Sequence, residues 1–146
     1  MNGIDLDAPV ISRRSLTIAA PLRTVWNLHA AHTSWPVWHP GIDKVLGTEP
    51  ALAPGMTLHW LTQGSDIVST VHEVVPGQRT LWSGTSFGTT GIHAWIFTPV
   101  DGGVLAQSHE SWSGERVLAD VAAAQRDLDA ALDTWLGHLK ATAEAA

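Results

Sequence analysis

The eight histidines are the first candidates for catalytic or metal-binding residues in this 146-residue sequence, which contains no cysteine and no tyrosine. An imidazole group can bind a metal ion or transfer a proton near neutral pH. The segment HTSWPVWHPG, residues 32–41, places two histidines, two tryptophans and two prolines in ten positions. We consider three roles for this segment: a metal site, a surface for a protein partner, or the wall of a binding pocket.

The spacing of the histidines does not form a recognised metal motif. The dipeptide His-Glu begins at His72 and at His109, but neither continues as the H-E-x-x-H pattern of zinc hydrolases. His29 and His32 are three residues apart, yet we expect His29 to follow Trp26 toward the core and His32 to turn away. No His-x-His pair occurs on a predicted strand, and without cysteine there is no thiolate ligand. We therefore expect no metal ion and no other cofactor, unless distant segments combine to form a site.

The segment GTSFG, residues 84–88, matches the G-x-S-x-G pattern of serine hydrolases. In those enzymes the serine is exposed at a sharp turn between a strand and a helix. Here the pattern is followed by TTGIHAWIF, which is typical of a turn and another strand. The same glycines lack the Gly-Lys-Ser/Thr ending of a phosphate-binding loop. We interpret Ser86 as a loop residue without catalytic function.

The composition limits the classes to which the protein can belong. Its length is that of one domain with a substantial core, and the absence of cysteine excludes disulfides and fits a reducing cytoplasm. The N-terminal residues MNGIDLDAPV lack the basic and apolar regions of a secretory signal, and no run reaches 18 apolar residues. The formal charge is −6 and the eight Lys and Arg residues are scattered, which disfavours a nucleic acid partner. We expect a cytoplasmic protein without a membrane span.

Tryptophan is unusually frequent, with eight residues against two phenylalanines. Each indole offers a large rigid apolar face and one N–H donor at its edge. A single tryptophan is most simply interpreted as part of the core. A domain of this size has limited room for eight indoles in a packed interior, so we expect some of them to line a cavity or an exposed patch. They are Trp26, Trp35, Trp38, Trp60, Trp82, Trp95, Trp112 and Trp135.

The elements that position these side chains begin with a predicted strand over residues 11–19. A helix is predicted to start near Pro21, because proline is tolerated in a first helical turn. One stripe of this helix, at i, i+3, i+4 and i+7 spacing, contains Leu22, Val25, Trp26 and His29. Residues 31–39 predict a second short helix, closed by Pro40 and Gly41.

Residues 42–113 consist of runs of roughly eight residues separated by turn sequences such as QGSD, VPGQR and GTTG. This pattern predicts six antiparallel strands. One strand alternates cleanly, with Met56, Leu58 and Trp60 on one face. In contrast, both faces of residues 92–98 are apolar enough to be buried.

From about Arg116 to the end, the sequence predicts one helix of about 26 residues, roughly 39 Å long. A helix of this length can lie across an entire sheet. Its apolar stripe consists of Leu118, Val121, Gln125, Leu128, Leu132, Trp135, Leu136 and Leu139. Gln125 is the polar member of this stripe, and we expect it either to bond to nearby backbone or to form a polar point in a ligand cavity.

A strand, two short helices, six strands and one long helix form an α+β order in which the last helix covers the apolar face of the sheet. In this order the sequence resembles the helix-grip superfamily of START domains, birch-pollen-allergen-like proteins and bacterial polyketide cyclase/dehydrases (the SRPBCC superfamily). The resembling segments are IAAPLRTVWNL (18–28), WPVWHPGI (35–42), GMTLHW (55–60), VHEVVPGQRTLWSG (71–84), HAWIFTPVDGGVLAQSHESWSG (93–114) and LGHLKATAE (136–144). The resemblance implies one domain over residues 1–146, in which a curved seven-stranded antiparallel sheet, two short helices and a long C-terminal helix enclose a cavity.

The resemblance also implies which strand residues face this cavity, although the family has no universal catalytic motif. They are Leu58, Trp60, His93, Trp95, Phe97, Ser108, Glu110 and Trp112. A carboxyl group among indoles loses hydration, which favours its neutral form, whereas a protonated imidazole nearby opposes this effect. We expect His93 and Glu110 to be the catalytic pair, able to move a proton between substrate positions. The alternatives are a structural hydrogen-bonded pair, or a Glu110 held by an arginine such as Arg13 or Arg14.

The resemblance places residues 32–41 at the rim of the cavity. Trp35 and Trp38 lie three apart on a short helix limited by prolines, and they would form a wall or gate with His39 near the mouth. Alternatively, both indoles only pack the helix against the sheet, or they form a patch for a protein partner. The expected substrate-binding residues are Trp35, Trp38, Leu58, Trp60, Trp95, Phe97, Trp112, Gln125, Leu128 and Leu132.

Together these features indicate an enzyme similar to the polyketide cyclase/dehydrases. It would bind a hydrophobic aromatic or polyketide-like molecule and promote cyclisation, dehydration or isomerisation without a cofactor, as a lyase or isomerase. The rival hypothesis is a non-catalytic carrier or sensor of a hydrophobic ligand, and a third is a chaperone-associated interaction domain. Both a monomer and a homodimer agree with the sequence.

Overall fold

Seven strands and a long C-terminal helix account for most of residues 2–146, the part of the chain that the structure describes. The elements of this computed structural model are β1 (Val10–Ile18), α1 (Leu22–Ala30), a 3-10 turn (His32–Ser34), α2 (Trp35–Trp38), β2 (Ile42–Leu46), β3 (Thr57–Thr62), β4 (Ser65–Val75), β5 (Arg79–Ser86), β6 (Thr89–Val100), β7 (Gly103–Ser113), α3 (Glu115–Ala119) and α4 (Val121–Ala145). The strands lie in one antiparallel sheet of order β1-β7-β6-β5-β4-β3-β2. The predicted seven-stranded α+β helix-grip architecture is confirmed.

The pairing of the first strand with the last determines where the helices lie. Val10 of β1 is opposite Trp112 of β7, and Ile18 is opposite Val104. The chain then has to pass from β1, at one edge of the sheet, to β2 at the other edge. The helices α1 and α2 lie in this connection, and both contact α4. The short helices and the long helix therefore meet on the same face of the sheet, here called the inner face.

Two tight hairpin turns explain the glycine motif that resembles a hydrolase signature. Residues 63–64 join β3 to β4 with φ angles of 48° and 80°, and residues 87–88 join β5 to β6 with φ angles of 48° and 75°. Two consecutive residues with positive φ are typical of a type I′ hairpin turn, which requires glycine or a tolerant residue. Ser86 ends β5, and its hydroxyl donates to the carbonyl of Asp66 over 3.2 Å. The segment GTSFG thus contains the last three residues of β5 and the two turn residues, so Ser86 ends a strand and does not lie in the loop as expected. The next element is the strand β6, where a hydrolase would have a helix.

The inner face of the sheet shows the two-residue period of a strand with one buried face. In β6, His93, Trp95 and Phe97 are 4%, 0% and 3% exposed, whereas the intervening residues are half-buried. The side of α4 that packs on this face contains Leu128, Leu132, Trp135, Leu136, Leu139 and Ala143, all buried. The core therefore lies between α4 and the inner face.

The C-terminal helix begins later than the sequence suggested. A break at Asp120, with φ −157° and ψ 85°, separates α3 from α4, and the Asp120 carboxylate accepts the backbone N–H of Ala123 over 3.0 Å. Leu118 and Val121, expected on the apolar stripe, are 66% and 39% exposed. This part of the prediction is wrong because an aspartate in the N-cap position starts a new helix and changes the direction of the stripe. None of the helices within residues 2–146 has the length and apolar character required to cross a membrane.

The N-terminal segment covers part of the opposite, outer face of the sheet. The backbone N–H of Asp5 donates to the hydroxyl of Ser111 over 2.9 Å. Beneath the segment is an open cavity of about 400 Å³, lined by Asn2, Gly3, Ile4, Leu6, Glu73, Arg79, Thr80, Leu81, Ala94, Trp95, Ile96 and His109. Leu81 is only 3% exposed. Because the N-terminal segment covers the outer face here, the residues of 92–98 that point to this face can also be apolar.

Candidate active site in the aromatic core

A histidine and a glutamate lie side by side on the inner face. His93 of β6 is directly opposite Glu110 of β7 in the strand register, and side chains directly opposite each other on antiparallel strands point to the same face. His93 Nδ1 lies 3.0 Å from Glu110 Oε1. The two side chains are 5% and 15% exposed. The structure therefore brings together the two residues that the sequence suggested as an acid/base pair.

Two further side chains complete a chain of hydrogen bonds around this pair. His93 Nε2 lies 2.7 Å from the hydroxyl of Ser108, which is fully buried. On the other side, the indole N–H of Trp112 donates to Glu110 Oε2 over 2.5 Å. When Glu110 is ionised it accepts the Nδ1 proton of His93, and the free Nε2 lone pair then accepts the hydroxyl proton of Ser108. The imidazole is thus fixed in one tautomer and one orientation.

The indole of Trp135 occupies the space in which the sequence predicted a cavity. It is 5% exposed, and it projects from α4 into a group of rings on the sheet and on α2. Its ring centroid lies 5.1 Å from Trp35, 5.5 Å from both Trp60 and Trp95, and 5.8 Å from His93. In this structure the expected hollow is filled, because the helical stripe placed Trp135 on the inner side without showing how far its ring reaches. We call Trp35, Trp60, Trp82, Trp95 and Trp135 the aromatic cluster.

The aromatic cluster contains polar atoms that have no partner among the described residues. Trp60 Nε1, Trp95 Nε1 and Trp135 Nε1 are buried without a hydrogen bond. In contrast, Trp35 Nε1 donates to the carbonyl of His29 over 2.9 Å. Burying an N–H group without an acceptor costs free energy, and native proteins generally avoid it. The interior of the cluster therefore contains three indole N–H groups whose hydrogen-bonding capacity no described residue satisfies.

His29 is the second histidine beside the cluster. It is 1% exposed, its ring is stacked 5.9 Å from Trp82, and its Nε2 lies 2.8 Å from Thr80 Oγ1. Burial and, to a smaller extent, the nearby His93 together lower the pKa of His29 to about 3. His29 is therefore neutral at physiological pH. The helical stripe predicted its inward direction, but nothing in the sequence indicated its contact with Thr80.

His39 lies where α2 ends, between the aromatic cluster and the surface. It is 7% exposed, and its ring centroid lies 5.2 Å from Trp135 and 5.3 Å from His138. Burial lowers the pKa of His39 to about 4, and the neighbouring His138 also lowers it. Its Nδ1 accepts the backbone N–H of Gly41 over 3.1 Å. His39 is thus a neutral residue that contacts the ring of Trp135.

The two tryptophans of α2 have different environments. Trp35 is fully buried in the aromatic cluster. Trp38 is half-buried and lines an open groove of about 350 Å³ between α1 and α2, together with Thr24, Asn27, Leu28, Ala31 and Ser34. The Nε1 atom of Trp38 is also buried and unpartnered within the described chain. One end of α2 therefore belongs to the core and the other to a groove at the surface.

The remaining candidate binding residues fall into three places. Leu58 and Phe97 belong to the main core with Trp60 and Trp95. A second apolar group contains Val10, Val117, Leu128 and Leu132, with Trp112 packed against it. The amide of Gln125 donates to the carbonyl of Ile11 over 2.9 Å and to Asp129 Oδ1 over 3.1 Å. Of the two roles considered for Gln125, the structure thus shows the hydrogen bond to backbone, here to the carbonyl of Ile11 in β1.

Ser108, Trp82 and Trp135 are parts of the site to which the sequence gave no role. The resemblance already implied that Ser108 faces the interior, but it did not imply the contact of its hydroxyl with His93. Trp82 is directly opposite His93 in the register of β5 and β6. Among residues 2–146, no group of three or more His, Asp or Glu side chains is arranged to hold a metal ion.

Solved structures share this fold at low sequence identity. A hypothetical protein from Helicobacter pylori has a TM-score of 0.84 at 16% identity, over 98% of this chain and 97% of its own. A START superfamily protein from Mycobacterium smegmatis has a TM-score of 0.78 at 12% identity, over 92% and 97%. The di-domain ARO/CYC StfQ from the steffimycin biosynthetic pathway has a TM-score of 0.73 at 18% identity, over 93% of this chain and 51% of its own.

A family model gives the classification of the sequence. No curated protein matches the chain. The model described as "Polyketide cyclase / dehydrase and lipid transport" matches residues 9–144, which is nearly the whole chain and includes the aromatic cluster, His93 and Glu110. The protein belongs to this polyketide cyclase/dehydrase and lipid transport family.

Proposed function

We propose that the protein binds a hydrophobic aromatic or polyketide-like molecule in the aromatic cluster and promotes its cyclisation, dehydration or isomerisation. His93 and Glu110 move the proton, and no cofactor takes part. The observation that carries the proposal is the 3.0 Å contact between His93 and Glu110 beside the cluster. The family match and the structural similarity to StfQ support this class of reaction.

In this proposal each residue of the pair has a separate task. His93 Nε2 is the atom that removes a proton from the substrate, which takes the place of the Ser108 hydroxyl on that atom. Glu110 then stabilises the resulting imidazolium through the Nδ1 proton. In a dehydration, the imidazolium returns this proton to the departing hydroxyl group, which leaves as water. The proton thus moves between two positions of one substrate, and no net proton is gained or lost by the protein.

The aromatic cluster contributes orientation. Flat rings that contact a flat substrate restrict the folded conformations from which new bonds form, and effective positioning of this kind lowers reaction barriers by about 7–11 kcal/mol in the best cases. Because Trp135 fills the space between α4 and the sheet, the substrate has to separate rings that are now in contact. The proposal therefore includes a movement of the Trp135 side chain on binding.

Native mass spectrometry of the purified protein provides the first test, because a bound small molecule would reveal the substrate or product. Turnover of that molecule is then measured for Glu110→Gln and His93→Ala. We expect at least a 100-fold lower rate in each variant, the usual size of an acid/base contribution, with binding retained. The matched controls are Glu115→Gln and His72→Ala, since both residues are exposed. Unchanged turnover in both site variants would refute the assignment, and binding without any conversion would indicate a carrier.

A further inference from the structure

The cavity on the outer face of the sheet, here called the outer cavity, is separate from the aromatic cluster. Thr80 and Trp95 belong to its lining, but their side chains point to the inner face, where Thr80 contacts His29 and Trp95 contacts Trp135. They therefore line the outer cavity with backbone atoms. The sheet itself lies between the outer cavity and the interior of the protein.

One row of side chains crosses five strands on the outer face and passes through this cavity. A β-bulge between Val71 and Glu73 brings Glu73 directly opposite Leu81, and each further member of the row is directly opposite the next. Side chains in this relation share a face. The row has its smallest member, an alanine, in the middle, which leaves a depression with a polar group at each end. Its members in spatial order are Glu73, Leu81, Ala94, His109 and Arg13.

The apolar part of the lining is aliphatic. Besides Leu81 and Ala94 it includes Ile96 on the sheet, and Ile4 and Leu6 on the N-terminal segment. Leu6 is 71% exposed although it lies at the cavity, so a ligand there would remove apolar surface from water. No indole or phenyl ring faces this space among the described residues. A volume of about 400 Å³ is within the usual range of small-molecule sites.

Arg79 supplies a cationic group with free donors at the edge of the outer cavity. It is directly opposite Ile96 in the strand register. Its Nε donates to Glu73 Oε1 over 2.5 Å, whereas no described residue accepts a hydrogen bond from its terminal Nη groups. Arg14 is different, since both its Nε and its Nη2 bind Asp133. The two Nη groups of Arg79 can therefore still bind a carboxylate through two parallel hydrogen bonds.

The other charges around the cavity permit an anion. Glu73 is the only acid among the described residues of the lining, and its carboxylate is already paired. Burial and, to a smaller extent, the positive charge of Arg13 lower the pKa of His109, so that His109 is a neutral residue that can donate an N–H group at neutral pH. Asp5, in the segment above, directs its carboxylate to the backbone N–H of Asp7 over 2.9 Å.

We propose that the outer cavity is a separate binding site for a small aliphatic monocarboxylate. The carboxylate pairs with the free Nη groups of Arg79, and the hydrocarbon part rests on Leu81, Ala94 and Ile96. Residues 2–6 cover the ligand from the solvent side. This site is independent of the proposed function, because no side chain of the catalytic pair or of the aromatic cluster takes part in it.

A pair of probes with the same shape and different charge tests the proposal. 1-Adamantanecarboxylate and 1-adamantanecarboxamide are both compact and aliphatic, but only the carboxylate is charged at pH 7. Calorimetric titration into the 146-residue protein measures both Kd values. We expect the carboxylate to bind about tenfold more tightly, because hydrogen bonds to a charged group are stronger than those to a neutral one. In ¹H–¹⁵N spectra the backbone signals of Ile4, Ala94 and Ile96 should move, while the indole signal of Trp135 stays in place.

Two substitutions at the ion pair should change carboxylate binding in opposite directions. In Arg79→Gln the carboxylate should bind no better than the amide. In Glu73→Gln the guanidinium has no competing partner, so the carboxylate should bind about threefold more tightly, the effect of one exposed ion pair, while the Kd of the amide is unchanged. Arg126→Gln is the matched control, since Arg126 is an exposed arginine on α4, and it should bind both probes as the parent does.

A third substitution tests the place of the hydrocarbon part. Ala94→Leu fills the depression in the middle of the row and leaves Arg79 unchanged, so both probes should lose at least tenfold in affinity. Unfolding in urea shows separately whether each variant is folded.

Several results would overturn the proposal. They are equal affinity of the two probes in the parent protein, no binding of either probe, an equal loss of carboxylate affinity in Arg79→Gln and Arg126→Gln, and a shift of the Trp135 indole signal in place of the outer-face signals. Each of these leaves the proposed function standing, since His93 and Glu110 lie on the other face of the sheet. Conversely, loss of turnover assignments for His93 and Glu110 would leave the outer cavity unaffected.

Discussion

At the scale of single residues, Ser108 determines how His93 presents its reactive nitrogen. The hydroxyl is fully buried and contacts only one side of the imidazole, at Nε2, while Glu110 holds the other side at Nδ1. An imidazole held from both sides cannot rotate away from the aromatic cluster. In the proposed mechanism Ser108 therefore holds the imidazole in position until the substrate binds, and it then releases Nε2 without taking the proton itself.

Replacing Ser108 by alanine tests this role. The variant loses one orienting hydrogen bond, worth about 1.4 kcal/mol, which corresponds to about tenfold in rate. We expect kcat to fall by about this factor while the Kd of the ligand stays constant, and Ser108→Thr, which restores a hydroxyl, should recover part of the loss. A decrease in binding with kcat unchanged would show that Ser108 contributes to packing alone.

The burial of His29 predicts how stability depends on pH. Because its pKa falls from 6.5 to about 3 on folding, the unfolded chain binds more protons than the folded protein between these values. The free energy of unfolding therefore decreases as the pH falls below 6.5, by about 2 kcal/mol at pH 5 from this residue. Urea unfolding at pH 7 and pH 5 measures this decrease. In His29→Gln the free energy of unfolding should decrease less than in the parent protein, by a difference of about this amount. His72 is exposed, so the control His72→Gln should show the same decrease in unfolding free energy as the parent. An equal pH dependence in the parent and in both variants would contradict the prediction.

At the scale of the elements, the sequence predicted strands and faces better than it predicted how side chains fill the interior. The period of two in residues 93–97 shows which side chains share a face. Both faces are apolar, however, so it was the family resemblance that implied that His93 and Glu110 face the interior together. The period of a helix likewise places Trp135 on the inner side of α4. Neither pattern contains the distance between the helix and the sheet, and so neither could show that the Trp135 ring fills the expected cavity.

The start of α4 shows a second limit of periodicity. The apolar spacing continues through residues 116–121, but the local capping preference of Asp120 interrupts the helix there. Asp120→Ala removes the hydrogen bond to the Ala123 N–H, and we expect the protein to lose about 1 kcal/mol of unfolding free energy. Asp120→Asn keeps a capping oxygen and should remain near the parent value in urea unfolding. The exposed Asp127→Ala is the matched control, and an equal loss in it would assign the effect to charge on α4.

At the scale of the whole molecule, the side chain of Trp135 on α4 fills the interior in which the proposed ligand would bind. The sheet and α4 hold Trp135 between them, with rings from α2, β3, β5 and β6 around it. A ring in this position both stabilises the closed protein and occupies the space that a ligand would need. The same side chain therefore links the stability of the fold to the affinity for a ligand.

This link predicts that Trp135→Ala affects stability and binding in opposite directions. Removing a buried tryptophan ring should cost about 3–5 kcal/mol of unfolding free energy, because the surrounding rings do not collapse fully into the space. An apolar space of this kind stays dry and accepts small aromatic molecules, so the Kd for indane should fall even though the protein is less stable. Leu139→Ala is the control, because Leu139 is fully buried on α4 but contributes no ring to the aromatic cluster: it should lose stability without gaining affinity. Calorimetric titration and urea unfolding measure both quantities, and a Trp135→Ala protein that folds but binds indane no better than the parent would show that ligands do not use this space.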